Sequence, residues 1–271
     1  MTLTKRIIPC IDVDLDDDGN AAVYTGVNFE SLEFTGDPVE MARKYDAAGA
    51  DEFVFLDITA SAEGRETMLD TVERVADEVF IPLTVGGGIR TRDDVRETLR
   101  AGADKVSINS GAIARPALIE EGAAAFGSQC IVVSVDARRR FDEQGEHYAE
   151  VDGESCWFEC TVKGGREGTD VDVIEWVAEA EDRGAGELFV NSIDADGTKD
   201  GYDIPLTRAV CDTVSTPVIA SSGCGGPEDM HEVFTEADAD AGLAASIFHF
   251  DEFGIDEVKQ YLDERGVPVR L

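Results

Sequence analysis

The chain has 271 residues, with 23 Lys and Arg against 58 Asp and Glu, which gives a formal net charge of −35. Such a surface repels phosphate backbones and anionic lipid, so no nucleic acid and no membrane surface is expected as a partner. Hydrophobic residues still make up 43% of the chain, enough for a sizeable core and against the disorder that extreme charge otherwise suggests.

In chain order, short apolar runs alternate with longer segments of helical period. Strands are predicted over 6–11, 52–56, 81–85, 104–108, 130–135, 187–191, 217–220 and 241–245. Most are continuously apolar, as strands buried on both faces are. The first helix signal is Asp37-Pro38, an N-cap followed by proline at the first position, with Gly49 at the other end. Thr91 and Asp94 form a capping-box pattern before Val95 and Leu99. Asp172 caps the segment that ends at Gly184, Pro227 opens another, and a last helix covers about 255–265. The stretch 138–168 reads as a hairpin inserted after strand 5, with Tyr148, Trp157 and Phe158 alternating with polar residues.

Eight strand–helix units in this length fit an α/β fold of the (β/α)8 TIM-barrel type. An internal repeat supports closure over an open doubly wound sheet. IIPCIDVD around Asp12 matches IVVSVDAR around Asp136, and the stretch 81–110 matches 216–246. The expected organisation is one barrel over 1–271, made of half-barrels about 1–125 and 126–271.

The C-terminal ends of the strands form a barrel's functional face. Strand 3 ends in Gly86-Gly87-Gly88 and strand 4 in Asn109-Ser110; strand 7 ends in Ser221-Ser222-Gly223 and strand 8 in Ala245-Ser246. Glycines let a ligand approach the backbone, and a hydroxyl before a helix start favours an anion. Two such devices in symmetric positions suggest two phosphate sites and a long bisphosphorylated substrate. Asp12 and Asp136 end strands 1 and 5, opposite each other in the ring, where they suit a general acid and a general base. Asp57, Asp194 and Asp196 lie on the same rim.

The segments KRIIPCIDVD, GVNFESLEFTGDPVEMA, DEFVFLDITAS, VGGGIRT, ADKVSINS, FGSQ, SIDADGTKDGYD and LAASIFHF resemble the cyclase subunit of imidazole glycerol phosphate synthase, from histidine biosynthesis, in a haloarchaeal form. The resemblance covers nearly the whole chain. It implies an enzyme that uses ammonia from a separate glutaminase subunit. It converts the formimino-type bisphosphate PRFAR into imidazole glycerol phosphate and AICAR. Asp12 and Asp136 match the acid/base aspartates. Gly87, Gly88, Asn109 and Ser110 match one phosphate site; Gly197, Gly223 and Ser246 match the other, beside Asp196. Arg6, Glu52, Lys105 and Glu187 match a charged ring that gates ammonia. A plain salt-bridge network closing the barrel bottom explains those four equally well. Asp104 and Gln129 match positions near the glutaminase, which docks on the N-terminal face. Two departures stand out. The loop after strand 1 (12–26) is longer and acidic, with Thr25 where the family has a substrate-contacting lysine. Ser222 replaces the first glycine of a Gly-Gly pair. The sister isomerase of the preceding step, and a non-catalytic barrel that only activates the glutaminase, remain as alternatives. Nothing in the sequence indicates a metal or an organic cofactor.

No apolar run reaches the ~20 residues of a membrane span, and MTLTKRIIPC lacks a signal-peptide pattern. A cytoplasmic protein is expected, with its six cysteines as thiols. The charge also exceeds the ~2–8 that solubility requires of a small domain, and only six of the cationic residues are lysines. Molar salt screens self-repulsion to within a few Å, so a halophilic source is expected. Denaturation midpoints are predicted to rise from low to molar KCl; a fold most stable in low salt contradicts this.

Overall fold

A computed structural model of the chain describes residues 3–16, 18–27, 30–60 and 67–271. Asp17, Asn28, Phe29 and Ser61 of the motifs above lie outside the described residues. Eight parallel strands close into a barrel: β1 (Arg6–Leu15), β2 (Phe53–Asp57), β3 (Leu83–Gly86), β4 (Lys105–Ile108), β5 (Ile131–Arg140), β6 (Glu187–Ser192), β7 (Val218–Ser221) and β8 (Ala241–Ala244). Each pairs with the next, and β8 returns to β1 with Arg6 opposite Ala241 and Ile8 opposite Leu243. The fold is a (β/α)8 TIM barrel.

The strands are mostly apolar because both faces are covered. Ile7, Ile11, Phe53, Phe55, Leu83 and Val85 point outward to the helices of one cluster, while Val106, Ile131, Val133, Leu188 and Val190 serve a second. The alternate residues Ile8, Cys10, Val54, Val132, Phe189, Ile219 and Leu243 fill the barrel itself. The two-residue period of a strand therefore sorts an unbroken apolar run into two cores.

The helices start where the sequence places them. Asp37 accepts the N–H groups of Val39 and Glu40 at the head of Pro38–Ala47. Thr91 and Asp94 exchange both bonds of a capping box before Arg92–Arg100. Asp172 caps Val173–Asp182, Pro227–Glu236 opens with its proline, and the last helix spans Ile255–Asp263.

Two strands run well beyond their expected ends, where others differ by a residue or two. β1 continues to Leu15 and pairs antiparallel with Ala21–Val27, which pairs in turn with Glu30–Gly36. Much of the expected 12–26 loop is thus a β-ribbon. Val13 and Val23 pair across it and are buried in one apolar cluster with Val39 and Met41 of the first helix, and Ala22 is buried on the other face. β5 continues likewise to Arg140 and pairs with Glu154–Val162, which pairs with Ala149–Val151 and Glu167–Asp172. Here Trp157 and Phe158 are consecutive and both buried, and Tyr148 is exposed, so the expected alternation fails. The ribbon is covered on both sides at that point.

The lower end of the barrel is laced by aspartates. Asp51, Asp104 and Asp240 each precede a strand and accept the backbone N–H of Ile7, Leu83 and Val218, respectively, at 2.8–2.9 Å. Asp51 is 2% exposed and also binds the ammonium of Lys259, 4% exposed, at 2.9 Å, and Arg270. This ties the C-terminal helix to β1 and β2. Removing Asp51 leaves a buried ammonium without its counter-charge, a loss of about 3–5 kcal/mol. Asp51→Ala is predicted to lose that much in urea unfolding at fixed KCl; a change below about 1 kcal/mol contradicts the assignment.

Candidate functional site

A cavity of about 690 Å³ opens at the C-terminal end of the barrel. Ten sequence-predicted residues line it together: Asp12, Asp136, Gly87, Gly88, Asn109, Ser110, Asp196, Gly197, Gly223 and Ser246. Asp57 joins them, but Asp194 does not; its carboxylate accepts the backbone N–H of Arg139 at 2.8 Å.

Each rim aspartate sits at the point where its strand leaves the barrel for a ribbon. Asp12 lies opposite Leu56 on the parallel side and Tyr24 on the antiparallel side; Asp136 lies opposite Asn191 and Thr161. The two carboxyls have different surroundings. Asn109 Nδ2 donates to Asp136 Oδ2 at 2.8 Å and Asn191 Nδ2 donates to Oδ1 at 2.9 Å. Thr161 Oγ1 donates to the Asp136 carbonyl at 2.9 Å and so holds the backbone. Burial pushes Asp136 up to about 6, with the two amides pulling down and Asp196 pushing up. Burial, and then the charge of Asp196, push Asp12 up to about 7. A desolvated carboxylate beside another negative charge keeps its proton near neutral pH. Both carboxyls are thus held above the ordinary aspartate value, Asp136 with two amide donors and Asp12 with the charge of Asp196 against it.

The glycine turns are symmetric. Gly87 has φ 102 and Gly223 has φ 90. A Cβ at Gly87 would meet the Asp57 carbonyl at 2.2 Å, and one at Gly223 would meet the Gly201 carbonyl at 2.1 Å. Both turns are pressed against the loop of the preceding strand, which only glycine permits in this conformation. Ser222, where the family pattern has glycine, adopts φ 75, a conformation that favours glycine. Ser110 and Ser246 begin the short helices Ser110–Ala114 and Ser246–His249, and neither helix has a side-chain cap. Ser110 Oγ accepts the backbone N–H of Lys163 at 3.0 Å.

Charged residues close the opposite end. Arg6 Nη1 meets Glu52 at 2.6 Å and Glu187 at 2.5 Å; Lys105 Nζ meets the other oxygens of the same carboxylates at 2.9 and 2.6 Å. Cations and anions alternate around the ring. Burial alone would lower the Arg6 guanidinium, but Glu187 and Glu52 outweigh it and hold it above its ordinary value. Between this ring and the cavity lies the apolar filling of Ile8, Val54, Val132, Ile219 and Phe189.

Several site residues escaped the sequence reading. Asn191, Ser134 and Thr161 form the setting of Asp136, and Lys199 lines the cavity. Lys199 stands inside the quoted SIDADGTKDGYD motif, which was the available signal. Among the described residues, no group of His, Cys, Asp and Glu is placed to hold a metal ion, and all six cysteines are free thiols. No described helix is long and apolar enough to cross a membrane.

Comparison with known proteins gives the same direction. The family described as "Histidine biosynthesis protein" matches residues 6–254. A relative from Haloarcula marismortui, named imidazole glycerol phosphate synthase subunit HisF, is 84% identical over 271 residues, all of both chains. One of the same name from Natronomonas pharaonis is 82% identical, again over the whole of both. Another from Methanosarcina acetivorans is 54% identical over 99% of this chain and all of its own. The nearer two are haloarchaeal, in keeping with the charge of −35. With its closed barrel and its rim aspartates, the chain belongs to the histidine biosynthesis protein family, among the imidazole glycerol phosphate synthase HisF subunits.

Proposed function

We propose that the chain is the ammonia-using cyclase of imidazole glycerol phosphate synthase, with Asp12 and Asp136 as its acid/base pair. The observation that carries this reading is the pair of carboxyls, Asp12 and Asp136, that line one cavity from equivalent strand ends, together with the two matching glycine turns at Gly87 and Gly223. PRFAR lies across the cavity, one phosphate toward Gly87, Gly88, Asn109 and Ser110, the other toward Gly197, Gly223 and Ser246. Ammonia adds to the ribulosyl ketone. Protonated Asp12 gives its proton to the oxygen, which takes a second proton from the added nitrogen and leaves as water, giving an iminium. The carboxylate so formed takes a proton back from the ribulosyl carbon beside the iminium, and the enamine nitrogen that results closes on the formimino carbon. The amidine C–N bond then breaks, the leaving nitrogen takes two protons from the ring nitrogens, and AICAR and imidazole glycerol phosphate separate. Asp136 partners Asp12, held by Asn109 and Asn191.

Ammonia enters from below. The ring of Arg6, Glu52, Lys105 and Glu187 is neutral in sum, which offsets the cost of desolvating four charges. The apolar layer above it admits neutral ammonia and excludes ammonium. A glutaminase subunit docks on the N-terminal face, where Leu3, Phe80 and Leu271 are 80–88% exposed and Asp104 and Gln129 face solvent. Exposed apolar groups ringed by polar ones suit a protein interface. The relatives' name contains "subunit", which supports a complex. The chain acts in the cytoplasm as a single barrel of two half-barrels, about 1–125 and 126–271.

The test is turnover of PRFAR with ammonium salt in KCl, followed by loss of PRFAR absorbance. Asp12→Asn is predicted to lower turnover by about 10²–10⁴-fold. At constant free ammonia, kcat/KM is predicted to fall as pH rises above about 7, because Asp12 then no longer holds the proton that it must give first. Asp196→Asn removes a like charge from both and moves this limb to lower pH. A parent protein that leaves PRFAR unconsumed, or an Asp12→Asn variant of unchanged rate, overturns the reading.

A further inference from the structure

The proposed substrate is strongly anionic, yet Asp12, Asp57, Asp136 and Asp196 all line the cavity. Among the described lining residues Lys199 is the one cation. The ribbon after β1 contributes Thr25, which carries no charge. Lys199 belongs to the loop after β6 and has φ 58. Its carbonyl packs so closely on the turn after β7 that a Cβ at Gly225 would lie 2.4 Å from it. Its ammonium meets Glu252 at 2.5 Å, with both side chains about two-fifths exposed. Glu252 is fixed just beyond the Ser246–His249 segment, its N–H donating to the Ile247 carbonyl at 3.0 Å. The ammonium thus stands between the turn that carries Gly223 and the segment that carries Ser246.

We propose that Lys199 is the cation that grips the phosphate on the Gly223–Ser246 side, and that Glu252 occupies it as a built-in competing anion until the phosphate displaces it. The proposal rests on the bisphosphate reading above. An exposed Lys–Glu pair is worth little, while a phosphate oxygen makes stronger charge-assisted bonds to the same ammonium. The exchange therefore favours substrate. It also suits molar salt, which screens charges at a distance but acts less on a direct contact inside a cavity. Lys199 takes over the charge that the first loop lacks at Thr25.

Two measurements in molar KCl test this: ³¹P NMR titration with inorganic phosphate, and steady-state kinetics with PRFAR and ammonium. Lys199→Met is expected to weaken phosphate binding about tenfold and to raise the KM for PRFAR in parallel, with kcat nearly unchanged. Lys199→Arg should restore binding. Glu252→Gln is expected to tighten phosphate and lower KM about threefold, a change in the direction that misfolding cannot produce. If the parent binds phosphate and consumes PRFAR while Lys199→Met binds as tightly, the role of Lys199 falls and the cyclase reading stands. The role of Lys199 with its competing anion falls likewise if Glu252→Gln leaves phosphate binding unchanged. If the parent neither binds phosphate nor consumes PRFAR, both readings fall.

Discussion

Inside a closed barrel a charged side chain has lost its water, and most features of this protein answer to that loss. Every second strand residue points into the ring, so a charge there must be paired, hydrogen-bonded or neutralised by a proton. All three solutions occur, each at its own height. At the bottom, Arg6, Glu52, Lys105 and Glu187 pair completely. In the middle the interior is mainly apolar and uncharged, with the hydroxyl of Thr84 buried among it. At the top, Asp136 takes two amide donors, while Asp12, with burial and Asp196 against it, keeps its proton up to about pH 7. An axis of that kind favours a small neutral molecule along its length and leaves a proton-exchanging carboxyl at its end.

The overall charge and the local chemistry work at different scales. The charge of −35 lies mainly on helix faces and loops, where concentrated salt shortens its reach to a few Å. In the function proposed above, the anion is met locally, by the pressed glycine turns at Gly87 and Gly223 and the hydroxyls of Ser110 and Ser246 that line the cavity. The acidity speaks of habitat, and the haloarchaeal relatives agree. The rim speaks of function.

Most of the barrel was legible in the sequence, since a strand buried on both faces leaves an unbroken apolar run and a capped helix leaves Asp-Pro or Thr-x-x-Asp. The ends of β1 and β5 were not, because past Asp12 and Asp136 the strands swap a barrel neighbour for a ribbon and the apolar run gives way to mixed residues. The rim residues were legible because the two halves repeat one another, which put Asp12 with Asp136 and Gly87 with Gly223. The setting of Asp136 was hidden: Asn109, Asn191 and Thr161 come from three separate segments, and only closure of the barrel brings them together. The Asp51–Lys259 pair joins residues 208 positions apart. Its only trace is the tetrapeptide AGAD, which recurs at 48–51 and 101–104, where each aspartate ties one strand to the one before it.

The claim on which the rest turns is that closure of the barrel holds the two rim carboxyls partly protonated near neutral pH. Direct titration of the Asp12 and Asp136 side-chain carboxyls by ¹³C NMR, in protein labelled at aspartate and assigned with Asp12→Asn and Asp136→Asn, measures it. The account predicts midpoints of about 7 for Asp12 and about 6 for Asp136. Midpoints for both near the ordinary aspartate value of about 3.9 would contradict it.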